Sequence, residues 1–169
     1  MTLIELLIVI VMIGILSGIA ASKLDFTRYR ADAVGRGVMG QLAMAQRRAV
    51  SLQADVRIIL PDSARIQVHE DTNDDNAVNS GERVVTYPLD HNFILSQGSA
   101  PNLPSPEDPT PLTSLTFRRD GSANRSGTFY LIGPGYDPLC KHCRAVAVSR
   151  ATGRVVWYSY ATGAWLRGN

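Results

Sequence analysis

Six oxygen donors lie at the spacing of a calcium-binding loop in the middle of the chain. Counted over residues 71–82, the donors at the usual ligand positions are Asp71, Asn73, Asp75, the carbonyl of Ala77, Asn79 and Glu82. Ca²⁺ takes about six to eight oxygen ligands, and this spacing wraps them around one ion. Asn76 stands where such loops carry glycine, and the flanking segments predict strands instead of helices. The alternative is a hairpin loop without metal, because Asp, Asn and Gly form turns unaided.

Cys140 and Cys143 are the only two cysteines of the chain. In an oxidising compartment, a disulfide that closes this short loop is the predicted state. The alternative is a zinc site, which needs two further ligands. His142 lies beside the pair, whereas His69 or His91 would have to come from distant parts of the chain.

The C-terminal third of the chain is basic and rich in aromatic residues. Residues 116–169 hold eight of the 17 Lys and Arg residues and only two of the 15 acids. A candidate nucleic-acid surface consists of the basic residues Arg144, Arg150, Arg154 and Arg167. Arginines bind phosphates, and the interleaved Trp157, Tyr158, Tyr160 and Trp165 offer rings on which bases stack. The alternative is a solvated basic strand face with Trp157 in the core.

No arrangement of residues predicts an enzyme. Ser, His and Asp are scattered along the chain, and neither a glycine-rich phosphate loop nor a zinc-peptidase helix is present. The remaining function classes are a binding module and a structural subunit.

The N-terminal stretch predicts a long apolar helix with one charge. Among residues 1–21 only Thr2, Glu5 and Ser17 have polar side chains. A helix of about 20 residues is about 30 Å long, which matches the hydrocarbon core of a bilayer. A lone carboxylate in such a helix costs about 2.5–3.5 kcal/mol and is usually paired. The nearest cation is the α-amino group of Met1, in the same chain or in a neighbour.

The residues Met-Thr-Leu-Ile-Glu at positions 1–5, followed by this apolar run, resemble the processed N-terminus of type IV pilins and type II secretion pseudopilins. Met1 departs from the usual phenylalanine. Two later segments resemble the head of GspH/FimT-type pseudopilins: residues 117–128, and residues 146–149 with 152–155. The resemblance implies cleavage by a prepilin peptidase, methylation of Met1, and assembly of Glu5-bearing helices into a filament core.

The resemblance also implies an α+β fold, in which a long helix packs on an antiparallel sheet head. We predict a transmembrane and filament-core helix over residues 1–22, an amphipathic helical stem over residues 23–54, and a β-rich head over residues 55–169. Gly14 and Gly18 weaken the first helix, so a break is predicted between Gly14 and Ser22.

The rest of the chain predicts the elements of the head. Apolar residues at steps of three and four mark one face of the stem, and they are Val34, Val38, Leu42, Ala45, Ala49 and Leu52. Alternating residues predict a hairpin over residues 56–69 with its turn at Pro61–Ser63. Residues 96–111 contain five prolines, which predicts an exposed loop.

The predicted function is that of a structural subunit in a type IV pilus or pseudopilus-like filament. The resemblance implies a homo-oligomer or assembly with other pilins, an assembly platform, residence in the bacterial inner membrane before assembly, and a periplasmic or cell-surface filament afterwards. The alternative is a minor pilin that binds DNA or initiates the filament at its tip.

Overall fold

Over the residues that the structure describes, two α-helices are followed by nine strands and one short 3-10 turn. The computed structural model describes residues 2–21, 26–135, 137 and 139–168. Helix α1 spans Leu3–Ala21 and helix α2 spans Phe26–Leu52. The strands are β1 Asp55–Asp62, β2 Arg65–Asp71, β3 Val84–Pro88, β4 Ile94–Leu95, β5 Ser114–Phe117, β6 Gly127–Ile132, β7 Arg144–Val148, β8 Val155–Ala161 and β9 Ala164–Arg167. The predicted α+β class is confirmed.

The strands form two antiparallel sheets. The first has the order β3-β2-β1-β5 and the second the order β4-β6-β7-β8-β9. In the first sheet, Ile58 of β1 pairs with Val68 of β2. The turn of this hairpin lies later than predicted, because Asp62 still belongs to β1 and its carboxylate accepts a hydrogen bond from the backbone N–H of Ala64. The same carboxylate pairs with Arg65, at 2.5 Å, and so closes the turn.

One face of α2 packs against β1, β5, β7 and β8. The buried residues of α2 are Ala31, Val34, Gly35, Val38, Leu42, Ala45 and Ala49. They recur every three or four residues, as an amphipathic helix requires. The prediction that Leu52 continues this face was wrong, since Leu52 is 46% exposed. Gln53 takes a φ of 54°, which ends the helix and brings Ala54 into the core instead.

Helix α1 is continuous over its whole length. It remains helical through Gly14 and Gly18, so the predicted break lies at neither glycine; Ser22, the end of the predicted interval, lies outside the described residues. Across the described ranges, no helix combines the length and the apolar character needed to cross a membrane. The predicted span over residues 1–22 therefore stays a prediction.

The proline-rich segment 96–111, here called the proline strap, is not the fully exposed loop that we predicted. Its residues Ala100 and Leu103 are buried in a second, smaller core on the outer side of the second sheet. The hydroxyl of Tyr130 donates a hydrogen bond to the carbonyl of Pro109, and the indole N–H of Trp165 donates one to the carbonyl of Pro101. Prolines keep this segment out of a sheet, and the aromatic side chains bind its free carbonyls.

Candidate functional site

The N-terminus of α1 is capped by its own first residues. The backbone N–H of Thr2 donates to Oε2 of Glu5 over 3.3 Å, and the backbone N–H of Glu5 donates to Oγ1 of Thr2 over 3.4 Å. This reciprocal pair is a capping box, which satisfies two of the free N–H groups of the first helical turn. The spacing Thr-x-x-Glu is the sequence signal for it, and our predictions did not use that signal. Met1, the predicted partner of Glu5, lies outside the described residues.

The side chains of α1 from Leu3 to Gly18 are exposed on every side of the helix. Leu3 is 87% exposed, and the large apolar residues that follow, up to Leu16, are all at least 47% exposed. Glu5 carries the only charge of the helix. Monomeric proteins rarely expose an apolar surface of this extent, and such surfaces mark sites of protein or membrane contact.

Residues 71–82 are here called the β2–β3 loop. Several backbone N–H groups of this loop donate hydrogen bonds to side-chain oxygens of the same loop. The N–H of Asn76 donates to Oδ2 of Asp71 over 3.0 Å. The N–H of Asp75 donates to Oδ1 of Asn73, and the N–H of Ala77 donates to Oδ1 of Asp75. Asn76 takes a φ of 62°, so the chain makes at the sixth position the left-handed turn for which glycine is usual.

The acids of the β2–β3 loop differ in their partners. Glu82 accepts a hydrogen bond from His69 over 2.8 Å and others from the N–H groups of Thr72 and Asn79. The bond from His69, followed by that from Asn79, lowers the pKa of Glu82. In the part of the chain that the structure describes, no three His, Cys, Asp or Glu side chains are grouped to hold a metal ion. The calcium site therefore stays a prediction.

Cys140 and Cys143 form a disulfide, as predicted. Both cysteines are buried in the second core beside Tyr130. The bond closes the loop that leads into β7. His142, the nearest candidate for a zinc ligand, lies 3.2 Å from Asp137 through its Nδ1 atom.

Arg144 is not part of a basic surface, so its prediction as a nucleic-acid ligand was wrong. Its side chain is 1% exposed, and its Nε donates to Oδ1 of Asp32 in α2 over 2.7 Å. The same guanidinium donates to the carbonyl of Cys143 over 2.7 Å. Arg144 therefore joins α2 to the start of β7 from inside the protein, where its charge is compensated.

The other three predicted arginines are exposed, and one of them is paired with an acid. Arg154 pairs with Glu107 of the proline strap over 3.1 Å. The hydroxyl of Tyr158 donates to the same carboxylate over 2.9 Å. Burial, and then this bond to Glu107, raise the pKa of Tyr158 to about 12. Arg150 and Arg167 are exposed, in the turn after β7 and in β9 respectively. The nucleic-acid site stays a prediction for Arg150, Arg154 and Arg167.

Two solved structures share this architecture. The type IV minor pilin FimU of Pseudomonas aeruginosa superposes with a TM-score of 0.55 at 14% identity, over 82% of this chain and 94% of that one. The minor pseudopilin EpsH from the type 2 secretion system of Vibrio cholerae superposes with a TM-score of 0.52 at 13% identity, over 77% of this chain and 97% of that one. At these identities the likeness shows the fold alone. Among curated protein sequences, none matches the chain.

The family follows from the sequence of the head and of most of α2. The family model for the type II transport protein GspH matches residues 35–163, which is most of the chain. The match runs from Gly35, inside α2, to Gly163, in the turn between β8 and β9. It thus includes the β2–β3 loop, the proline strap and the disulfide, while α1 precedes it. The chain belongs to the GspH family of type II transport proteins.

Proposed function

We propose that the chain is a structural subunit of a type IV pilus or pseudopilus-like filament, assembled through α1. The observation that carries the proposal is the contrast between the two helices. The apolar face of α2 is buried against the head, whereas the apolar side chains of α1 are exposed around the helix. Helices of this kind bury their side chains against copies of themselves or against related helices.

The apolar side chains of α1 favour a packed filament over a subunit released into water. Burial of one Leu, Ile or Val side chain contributes about 1.5–3 kcal/mol. Association of two proteins costs roughly 4–15 kcal/mol in lost freedom of motion. Relative to exposure in water, burial of about six such side chains contributes roughly 9–18 kcal/mol, which is comparable to that cost, and α1 offers more than six between Leu3 and Leu16.

The charge of Glu5 then selects the register between neighbouring helices. A carboxylate surrounded by apolar helices needs a cation, and the α-amino group of Met1 in a neighbouring subunit supplies one. The capping box holds the Glu5 carboxylate at the first turn of α1, close to the end of the chain that carries this amine. Any axial slip between two helices would leave the carboxylate unpaired.

The proposed filament subunit also has partners before assembly. A prepilin peptidase releases Met1 for methylation, α1 holds the chain in the bacterial inner membrane, and an assembly platform passes it to the growing filament, in the periplasm or at the cell surface. The N-terminal sequence and the family membership support these partners.

Isolation of filaments tests the proposal. Filaments are sheared from cells that express the full chain, viewed by electron microscopy and analysed by mass spectrometry. We expect this chain in the filament fraction with a methylated Met1. A chain that stays entirely in the membrane fraction, while filaments form without it, would contradict the proposal. If this chain makes up most of the filament, it is the main subunit. If it makes up only a small share, it is a subunit that initiates the filament or lies at its tip.

A further inference from the structure

Only one of the four acids of the β2–β3 loop pairs with an arginine. Asp74 pairs with Arg119, and Glu82 pairs with His69. Asp71 and Asp75 form no salt bridge within the described residues. Two carboxylates of one short loop are thus left without a cation.

One of these two carboxylates also has an orphaned oxygen in the protein interior. Asp71 is 1% exposed, and its Oδ1 atom has no hydrogen-bond partner. Its other oxygen, Oδ2, accepts the N–H of Asn76 at the centre of the loop, so the carboxylate points into the loop. A buried, unpartnered carboxylate oxygen is costly, and a bound ion is one of the few things that explain it.

Two amides of the loop lie against the exposed carboxylate of Asp75. The side-chain amides of Asn73 and Asn79 both donate to Oδ2 of Asp75, over 3.0 and 2.5 Å. The backbone N–H of Asn79 donates to Glu82. Rotation of either amide presents its oxygen in place of its nitrogen, which turns a donor to Asp75 into a second ligand beside it. Either amide thus lies within reach of an ion bound at Asp75.

We propose that the β2–β3 loop binds one Ca²⁺ ion through Asp71, Asn73, Asp75, the carbonyl of Ala77, Asn79 and Glu82. Asp71 and Asp75 are the two carboxylates without a cation, and Ca²⁺ supplies it. Glu82 has to move part of the way from His69 to join them. The donors are all oxygens and are contributed by one loop, which favours Ca²⁺ over Mg²⁺, because Mg²⁺ demands a smaller and strictly octahedral site.

Calorimetric titration of the full chain in detergent tests the proposal, with CaCl₂ as the probe after removal of metal with a chelator. We expect one ion per chain with a Kd between about 10⁻⁵ and 10⁻³ M, and a rise of Tm of at least about 3 °C at about 10 mM calcium. Magnesium at the same concentration should give at most about a third of that rise.

Variants of two neighbouring aspartates distinguish direct ligation of Ca²⁺ from a general effect of the loop's negative charge. Asp75 is exposed, so Asp75→Asn leaves folding intact, and it should weaken binding at least about tenfold. Asp74→Asn removes the same charge from a residue outside the ligand set, and it should change Kd by less than about threefold. Folded wild-type protein that shows neither heat nor a Tm shift at about 10 mM calcium would overturn the site. Equal effects of the two variants, or of Mg²⁺ and Ca²⁺, would overturn it as well.

Discussion

Replacement of Glu5 by glutamine is expected to remove the chain from filaments. Glutamine retains the shape of the side chain and its ability to cap α1, but it has no charge to pair with the α-amino group of a neighbour. Loss of a pair worth more than about 1.4 kcal/mol lowers the content of this chain in sheared filaments at least about tenfold. Quantitative mass spectrometry of the filament fraction, relative to the membrane fraction, measures this content.

Two further variants separate pairing from capping. Glu5→Ala removes both functions and should lower the content as much as Glu5→Gln does. Thr2→Ala removes the hydroxyl that accepts the Glu5 N–H, but it retains the carboxylate. Loss of a cap costs about 1 kcal/mol, so this variant should still enter filaments. If Glu5→Gln enters filaments at the wild-type level while Glu5→Ala does not, capping rather than charge is the function of Glu5.

Removal of the Arg144 side chain is expected to destabilise the head strongly. Arg144→Ala breaks the pair with Asp32 and three hydrogen bonds to backbone carbonyls. It also leaves a space beside α2, where the arginine stem lies next to Gly35, at 3.5 Å from the position of a Cβ added to this glycine. Rupture of a buried pair costs about 3–5 kcal/mol, and we expect about 3 kcal/mol because Asp32 is partly exposed. Urea unfolding of the full chain in detergent measures the loss.

Arg65→Ala is the matched control for this variant. Arg65 also pairs with an aspartate, Asp62, but the arginine is 56% and the aspartate 37% exposed. Exposed pairs contribute about 0–1 kcal/mol, so this variant should cost less than about 1 kcal/mol. Similar losses for both arginines would show that Arg144 does not hold α2 to β7.

Local patterns in the sequence predicted the helices and the first hairpin of the head. The apolar residues from Val34 to Ala49 predict the buried face of α2, because residues spaced by three or four positions lie on the same side of a helix. The alternation around Ile58 and Val68 likewise predicts the β1–β2 hairpin. The N-terminal motif at residues 1–5 resembles that of pilins, and the family match over residues 35–163 agrees with this resemblance.

Such local patterns could not predict interactions between residues that are far apart in the sequence. Arg144 and Asp32 are 112 residues apart, and neither position differs locally from an exposed polar residue. Burial of the arginine follows only once α2 lies across β7. The same holds for the carboxylate of Glu107, which becomes a partner of Arg154 and Tyr158 when the proline strap folds over the second sheet.

Strand β9 was missed for a different reason. Its four residues, from Ala164 to Arg167, are too few to show an alternation, and most of them are exposed. The signal that was available is the turn at Thr162 and Gly163, which both take positive φ angles of 52° and 82°. A two-residue loop that ends in glycine is typical of a tight hairpin.

Photo-cross-linking from α1 within isolated filaments tests the central claim most directly. A photoreactive amino acid is placed at Ile8, which is 52% exposed in α1, or at Val78, which is 59% exposed in the head and serves as the control. We predict that the Ile8 probe captures the N-terminal helix of another pilin-type subunit in sheared filaments, whereas the Val78 probe does not. If the Ile8 probe in filaments captures no N-terminal helix, α1 is not the assembly element and the account is contradicted.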